Sequence, residues 1–246
     1  MTRKKRIGLI WLCAVLLVGG GCGAVLWALL ETPPFYRQVV KAQPNRIARQ
    51  QAAKKFVQHT IQLADDVKHA DAWSVEFTQE QVNGWLAEEL EQKYDTLVPE
   101  GVRQPRVQFD EGLLRIGFLY EREHWAGVVS LSLRPWVPAA NQLALEIISV
   151  RAGLLPIPFE ELLTDFAKQF ETNGWRLEWY EADGNDVMVL HLDHVSRGRP
   201  MLVALELSAG ALRLAGGTQQ QVADSRAAET EVGQKEPGGQ AHSVKK

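Results

Sequence analysis

Val107-Gln-Phe-Asp-Glu-Gly-Leu-Leu-Arg-Ile-Gly-Phe-Leu-Tyr120 reads as two strands and the turn between them. Val107 and Phe109 alternate with polar residues, and Leu114, Ile116, Phe118 and Tyr120 recur at every second position. Successive side chains of a strand point to opposite faces, so a period of two lines one face with apolar groups. The connection Asp110-Glu111-Gly112 is short. Parallel neighbours need a long crossover, so a short connection makes the pair antiparallel.

The same period continues downstream. Trp125, Val129, Leu131 and Leu133 follow a second turn at Arg122-Glu123-His124, and residues 143–150 supply another strand. After Gly153-Leu-Leu-Pro-Ile-Pro158 the spacing becomes helical: Phe159, Leu162, Leu163, Phe166, Ala167 and Phe170 share a face. Pro158 stands near the start of that helix, where its missing N–H costs nothing. Residues 175–180, 187–194 and 201–207 read as three further strands, and Leu212 and Leu214 as a short last one.

Upstream, Thr78-x-x-Gln81 is a capping box that opens a helix with Val82, Trp85, Leu86 and Leu90 on one face. Residues 73–77 form a strand before it. Asn45 caps a longer helix running to about residue 71, with Phe56, Thr60, Leu63, Val67 and Ala70 as its stripe. That stripe is too weak for a coiled coil, so this helix is expected to pack on its own domain.

The 24 residues that begin at Ile7 and end at Leu30 contain no charge. At about 1.5 Å per residue such a helix crosses a hydrocarbon core of about 30 Å. Trp11 and Trp27 stand near its ends, where amphipathic rings prefer the interface, and Pro33-Pro34 stops it. A cleaved signal peptide has a shorter apolar core, whereas here apolar character resumes as Ala24-Val-Leu-Trp-Ala-Leu-Leu30. Gly21-Cys22 matches the end of a lipoprotein signal, but Gly19 replaces the expected large aliphatic residue and no polar linker follows. The stretch is read as an uncleaved anchor. Gly19 and Gly23 have the small-xxx-small spacing that lets two such helices pack closely.

The net charge of −3 is unevenly distributed. Arg3, Lys4, Lys5 and Arg6 precede the anchor and leave 23 basic against 30 acidic residues elsewhere. The basic cluster beside an apolar stretch acts as a topogenic signal and keeps the N-terminus in the cytoplasm. Arg37, Lys41, Arg46 and Arg49 on the other flank oppose that orientation less densely. An acidic domain lacks the footprint for sequence-independent nucleic-acid binding, so no nucleic-acid partner is expected.

Chemistry is sparse. Cys13 and Cys22 both lie in the apolar stretch, which excludes a thiol nucleophile, a disulfide or a cysteine zinc site in the domain. No glycine-rich phosphate loop and no Gly-x-Ser-x-Gly elbow occurs. His191-Leu-Asp193-His194 is the best metal candidate, but on a strand His191 and His194 point to opposite faces. Glu160, Glu161 and Asp165 suit the start of a helix, where the macrodipole favours them. No catalytic residue, cofactor or metal is therefore assigned. Of the tryptophans beyond the anchor, Trp136 between Pro135 and Pro138 reads as a turn residue and the best surface-contact candidate.

Phe77-Thr-Gln-Glu-Gln-Val-Asn-Gly-Trp-Leu86 and Arg151-Ala-Gly-Leu-Leu-Pro-Ile-Pro158, with the anchor before them, resemble a planctomycete-type family of single-pass envelope proteins of unassigned activity. More distantly, the order of elements is similar to YpmS-like proteins. The resemblance covers residues 33–217 and carries no catalytic residue with it. Asn83 and Gly153 are the positions that it marks.

The expected protein is α+β: one transmembrane helix followed by a mainly antiparallel sheet covered by amphipathic helices. Its parts are a basic cytoplasmic tail (residues 1–6), the span, a linker (31–44), an extracytoplasmic domain (45–216) and a disordered tail (217–246), in the inner cell membrane. The expected role is a non-enzymatic binding or scaffolding module of the envelope, with a protein partner or a lipid-like ligand. A carrier or sensor of amphiphiles is the alternative.

Overall fold

The computed structural model describes residues 27–42, 45–90, 98–122, 125–157, 172, 175–192 and 201–217. It is α+β, with few helices and antiparallel strands. The predicted span lies outside the described residues up to residue 26, Gly19 and Gly23 included; residues 27–30 are helical. Among the described residues no helix is long and apolar enough to cross a membrane. The predicted helix bearing Glu160, Glu161 and Asp165 also lies outside them, as do His194 and the tail from residue 218.

The single expected sheet is in fact two. The larger has the order β2 (Val102–Asp110), β3 (Leu113–Arg122), β4 (Trp125–Trp136), β5 (Gln142–Ala152), β8 (Asn185–His191), β7 (Arg176–Ala182), and β6 (Leu155–Pro156) pairs with β5. The smaller has the order β1 (Ala72–Thr78), β10 (Ala211–Gly217), β9 (Met201–Ser208). The strand before the capping box thus pairs with the last strand of the fold, Phe77 opposite Leu212. The hairpin around Asp110-Glu111-Gly112 forms as expected, with Asp110 paired to Leu113.

The stretch read as a linker holds a helix, α1 (Pro34–Lys41), with proline in its first turn and Tyr36 and Val39 buried. It packs on β2 and β3. A Cβ at Gly117 would stand 2.6 Å from Tyr36 and 3.0 Å from Phe35, so only glycine leaves room for the two rings on the strand. The Tyr36 hydroxyl donates to the Gln104 carbonyl at 2.9 Å. The packed body therefore begins before residue 45.

Helix α2 (Arg46–His69) is capped by Asn45, which accepts from the Ala48 N–H. Its inner side meets α3 (Gln79–Trp85), with the Phe56 ring 5.0 Å from Phe77 and 5.3 Å from Trp85. Thr60, expected on the inner stripe, is exposed instead. The Thr78–Gln81 capping box forms in full. Beyond Trp85 the chain widens to a π-helical turn, Leu86–Leu90. The expected common face divides: Val82 and Leu86 pack with Val107, Phe109 and Leu207, while Trp85 turns to α2. Gly84 lets the helices touch, since a Cβ there would lie 2.9 Å from both Ala52 Cβ and the Arg49 carbonyl. Gly84→Leu should therefore lower stability by about 2–3 kcal/mol, the usual range for overpacking; a shift under about 0.5 kcal/mol in urea titration would show that α2 moves aside freely.

Among the described residues the core has three parts. Phe118, Val129, Leu131, Leu133, Ile147 and Val150 fill the middle of the large sheet. Val107, Phe109 and Leu207 join it to the small sheet through α3. Ala144, Val187 and Val189 make the third part, beneath Trp136. Burying a side chain such as Phe109, 4 % exposed, contributes about 1.5–3 kcal/mol.

Candidate functional site

Two buried asparagines hold the sheets to their neighbours. Asn83 projects from α3 onto β2, an edge strand. Its Nδ2 donates to the Val107 carbonyl at 2.8 Å, and its Oδ1 accepts from the Val107 N–H at 2.9 Å. Gln79, one turn earlier, accepts from the Phe109 N–H at 2.9 Å. The helix thus stands in for the missing strand and closes an edge that would otherwise be open to pairing. Asn141, at φ 60° between β4 and β5, accepts from the Leu202 N–H through its side chain at 3.0 Å and donates its own N–H to the Leu202 carbonyl at 2.9 Å. Both asparagines are structural clamps.

The second marked position, Gly153, lies where residues 27–30 meet the sheet. It has φ 58°, and a Cβ there would stand 2.3 Å from the Ala28 carbonyl oxygen and 2.6 Å from that of Leu29. The adjacent Leu154 N–H donates to the Ala28 carbonyl at 2.9 Å. A helix end carries carbonyls with no intrahelical partner, and the β5–β6 turn supplies one of the missing donors.

Trp136 is not a turn residue. β4 runs through it, and it pairs with Ala144 and packs half-buried over Ala144, Val187 and Val189. Pro135 lies beyond Leu133, where β3 no longer pairs with β4, so this end of β4 has only β5 beside it and is an edge that tolerates proline. Among the described residues the exposed aromatics are Trp27, within the predicted span, and Trp179 and Tyr180, 42 % and 43 % accessible, on the outermost strand β7, which has no buried residue. Adjacent strand residues face opposite sides, so β7 offers an aromatic surface on each face. Two neighbouring aromatics within a single strand, flanked by Glu178 and Glu181, were the sequence signal for this.

Charge is arranged around that strand. Arg176 donates to Glu178 at 2.8 Å, and the His191 ring nitrogen Nε2 lies 3.3 Å from the other carboxylate oxygen. The Arg176 guanidinium first, and His191 second, hold the Glu178 carboxyl below the usual carboxylate range. His191 is 6 % exposed, and its Nε2, though close to Glu178, is not aligned with it for a hydrogen bond. Among the described residues no group of three or more His, Cys, Asp or Glu side chains is placed to hold a metal. The one buried carboxylate among them, Glu146, is committed on both oxygens, to Arg134 at 2.7 Å and Asn185 at 2.7 Å. A groove of about 190 Å³ between α2 and β1 is lined by His59, Gln62, Leu63, Asp66, Ser74, Val75 and Glu76.

No family model, no curated protein and no solved structure matches the chain.

Proposed function

We propose that the chain is a membrane-anchored, non-enzymatic module of the cell envelope that displays a protein-binding surface outside the cytoplasm. The observation that carries this reading is the pair Trp179 and Tyr180 on the outer strand of the large sheet. Aromatic side chains give large contact areas with few rotamers to freeze, and an outermost strand offers backbone groups to an added strand. The uncharged stretch from Ile7 to Leu30 and the resemblance to envelope proteins support the anchored placement. The groove beside His59 does not favour a carrier of amphiphiles. At about 190 Å³ it is smaller than the roughly 300–1,000 Å³ of small-molecule sites, and five of its seven lining residues are polar or charged.

A photo-crosslinking residue in place of Trp179, in full-length protein in its native membrane, should yield a discrete adduct with one envelope protein. Trp179→Glu should abolish co-purification of that protein while changing stability by less than about 0.5 kcal/mol, as for an exposed site. Irradiation that gives no adduct, or only lipid adducts, at positions 179 and 180 would remove the proposal.

A further inference from the structure

Among the described residues eight large apolar side chains are exposed, and six of them fall early in the chain: Trp27, Leu30, Val40, Ile47, Val57 and Ile61. Residues 32–64 also carry six basic side chains (Arg37, Lys41, Arg46, Arg49, Lys54, Lys55) and no acidic one. Residues 65–246 carry 17 basic and 29 acidic. Exposed apolar groups and unbalanced positive charge thus coincide in one segment of an otherwise acidic protein.

On α2 they coincide on one face. At about 3.6 residues per turn, Arg46, Ile47, Lys54, Val57 and Ile61 fall within an arc of about 100°, which the exposed Asp65 shares one turn beyond Ile61. Ile47 is 69 % and Ile61 65 % accessible. The inner side, with Ala53 1 % exposed and Phe56 against Phe77, is taken by the domain. Aliphatic residues flanked by lysine and arginine are the pattern of a helix lying in the headgroup layer of a bilayer.

We infer that the outer face of α2, with Lys41 beside it, docks on the surface of a membrane rich in anionic phospholipid. The inference rests on the anchored reading, since the uncharged stretch immediately before this segment would hold it close to the bilayer. Charge chooses the occupant. Each Lys or Arg at an anionic surface is worth roughly a fivefold gain in partitioning. A second copy of the chain is disfavoured by the same residues: Ile47, Lys54 and Ile61 are seven apart, so in a parallel pair Lys54 would face its own copy. Arg49 is engaged with Glu88 at 2.8 Å, and Arg37 with Glu31, so Lys41, Arg46 and Lys54 are the residues assigned to headgroups, with Lys55, about 80° further round the helix than Ile47, at their rim.

The test uses the full chain with Cys13→Ala, Cys22→Ala and Ile61→Cys, bearing a nitroxide and mixed with nanodiscs. Discs of phosphatidylcholine alone are compared with discs containing phosphatidylglycerol. Retention on the phosphatidylcholine discs reads the anchor, and collision of the label with oxygen or with a nickel chelate reads the face. The expected result is a several-fold rise in the oxygen-to-chelate ratio with phosphatidylglycerol, lost with Arg46→Glu, Lys54→Glu and Lys55→Glu together. A label that stays aqueous on retained protein overturns the inference and leaves the anchor standing. A label shielded from both probes, with spin–spin broadening between chains, overturns it in favour of a second copy. Immersion with phosphatidylglycerol but no retention on phosphatidylcholine upholds the face and removes the anchor.

Discussion

Asn83→Leu should cost the domain about 3–5 kcal/mol, the largest loss expected of a single polar substitution here. Leucine matches asparagine in branching and approximate size, so the change acts through hydrogen bonding rather than through a cavity. Val107 is 8 % exposed, and its N–H and carbonyl are both answered by Asn83. Each buried backbone group left unpaired costs about 1–3 kcal/mol, a large share of the 5–15 kcal/mol that stabilises a typical domain. The loss would also open the edge of β2, so aggregation should accompany unfolding. Chemical denaturation of the full chain in nanodiscs, followed by tryptophan emission, measures it; a loss below about 1 kcal/mol would mean that water or a shift of α3 replaces the clamp. Asn83→Asp supplies a control with a sign. A carboxylate can still accept from the Val107 N–H but repels the carbonyl, whereas the protonated acid can donate to it. The folded-state pKa of that aspartate should therefore be raised. Stability of the variant should be greatest below the unfolded-state pKa and fall as pH rises through the folded one. The unsubstituted protein has no such titration at this position.

Gly153→Val should be the second most damaging change, by about 3–4 kcal/mol. A non-glycine residue held at φ 58° costs about 1–3 kcal/mol, and β-branching places valine at the upper end. The new Cβ would also meet the backbone carbonyls of Ala28 and Leu29, which cannot rotate away as a side chain can. The contact must open, and the hydrogen bond from Leu154 to Ala28 goes with it, at about 1 kcal/mol. Hydrogen exchange should quicken at Leu154 and along residues 27–42, while β2 and β3 retain protection. Unchanged exchange at Leu154 would show that the clamp had not been broken.

Local chemistry made part of this fold legible. Thr78 and Gln81 form their capping box because both partners lie within one helical turn, and Asn45 caps its helix for the same reason. The hairpin at Asp110-Glu111-Gly112 forms because a short turn leaves its strands little choice of partner. Pairing between distant segments was not legible. Nothing local tells the strand of residues 72–78 that it belongs beside residues 211–217, because every pair it forms there joins positions more than 130 residues apart. Asn83 could be marked but not understood, since its partner lies 24 residues on, in the next described strand. Trp136 misled because two prolines suggest a turn, and only the sheet order reveals that Pro135 sits where β3 has already ended. The aromatic surface at Trp179 and Tyr180 was missed, because its only signal is two adjacent aromatics that break the alternation, which is weaker than a regular pattern.

The hydrogen bond from Leu154 to Ala28 has a mechanical consequence. β5 is bonded to β4 from Ala144 to Ala152 and to β8 from Gln142 to Glu146, and β7 hangs from β8. The turn at Gly153 closes β5, so residues 27–30 are fastened to the middle of the large sheet, two strands from the one that carries Trp179 and Tyr180.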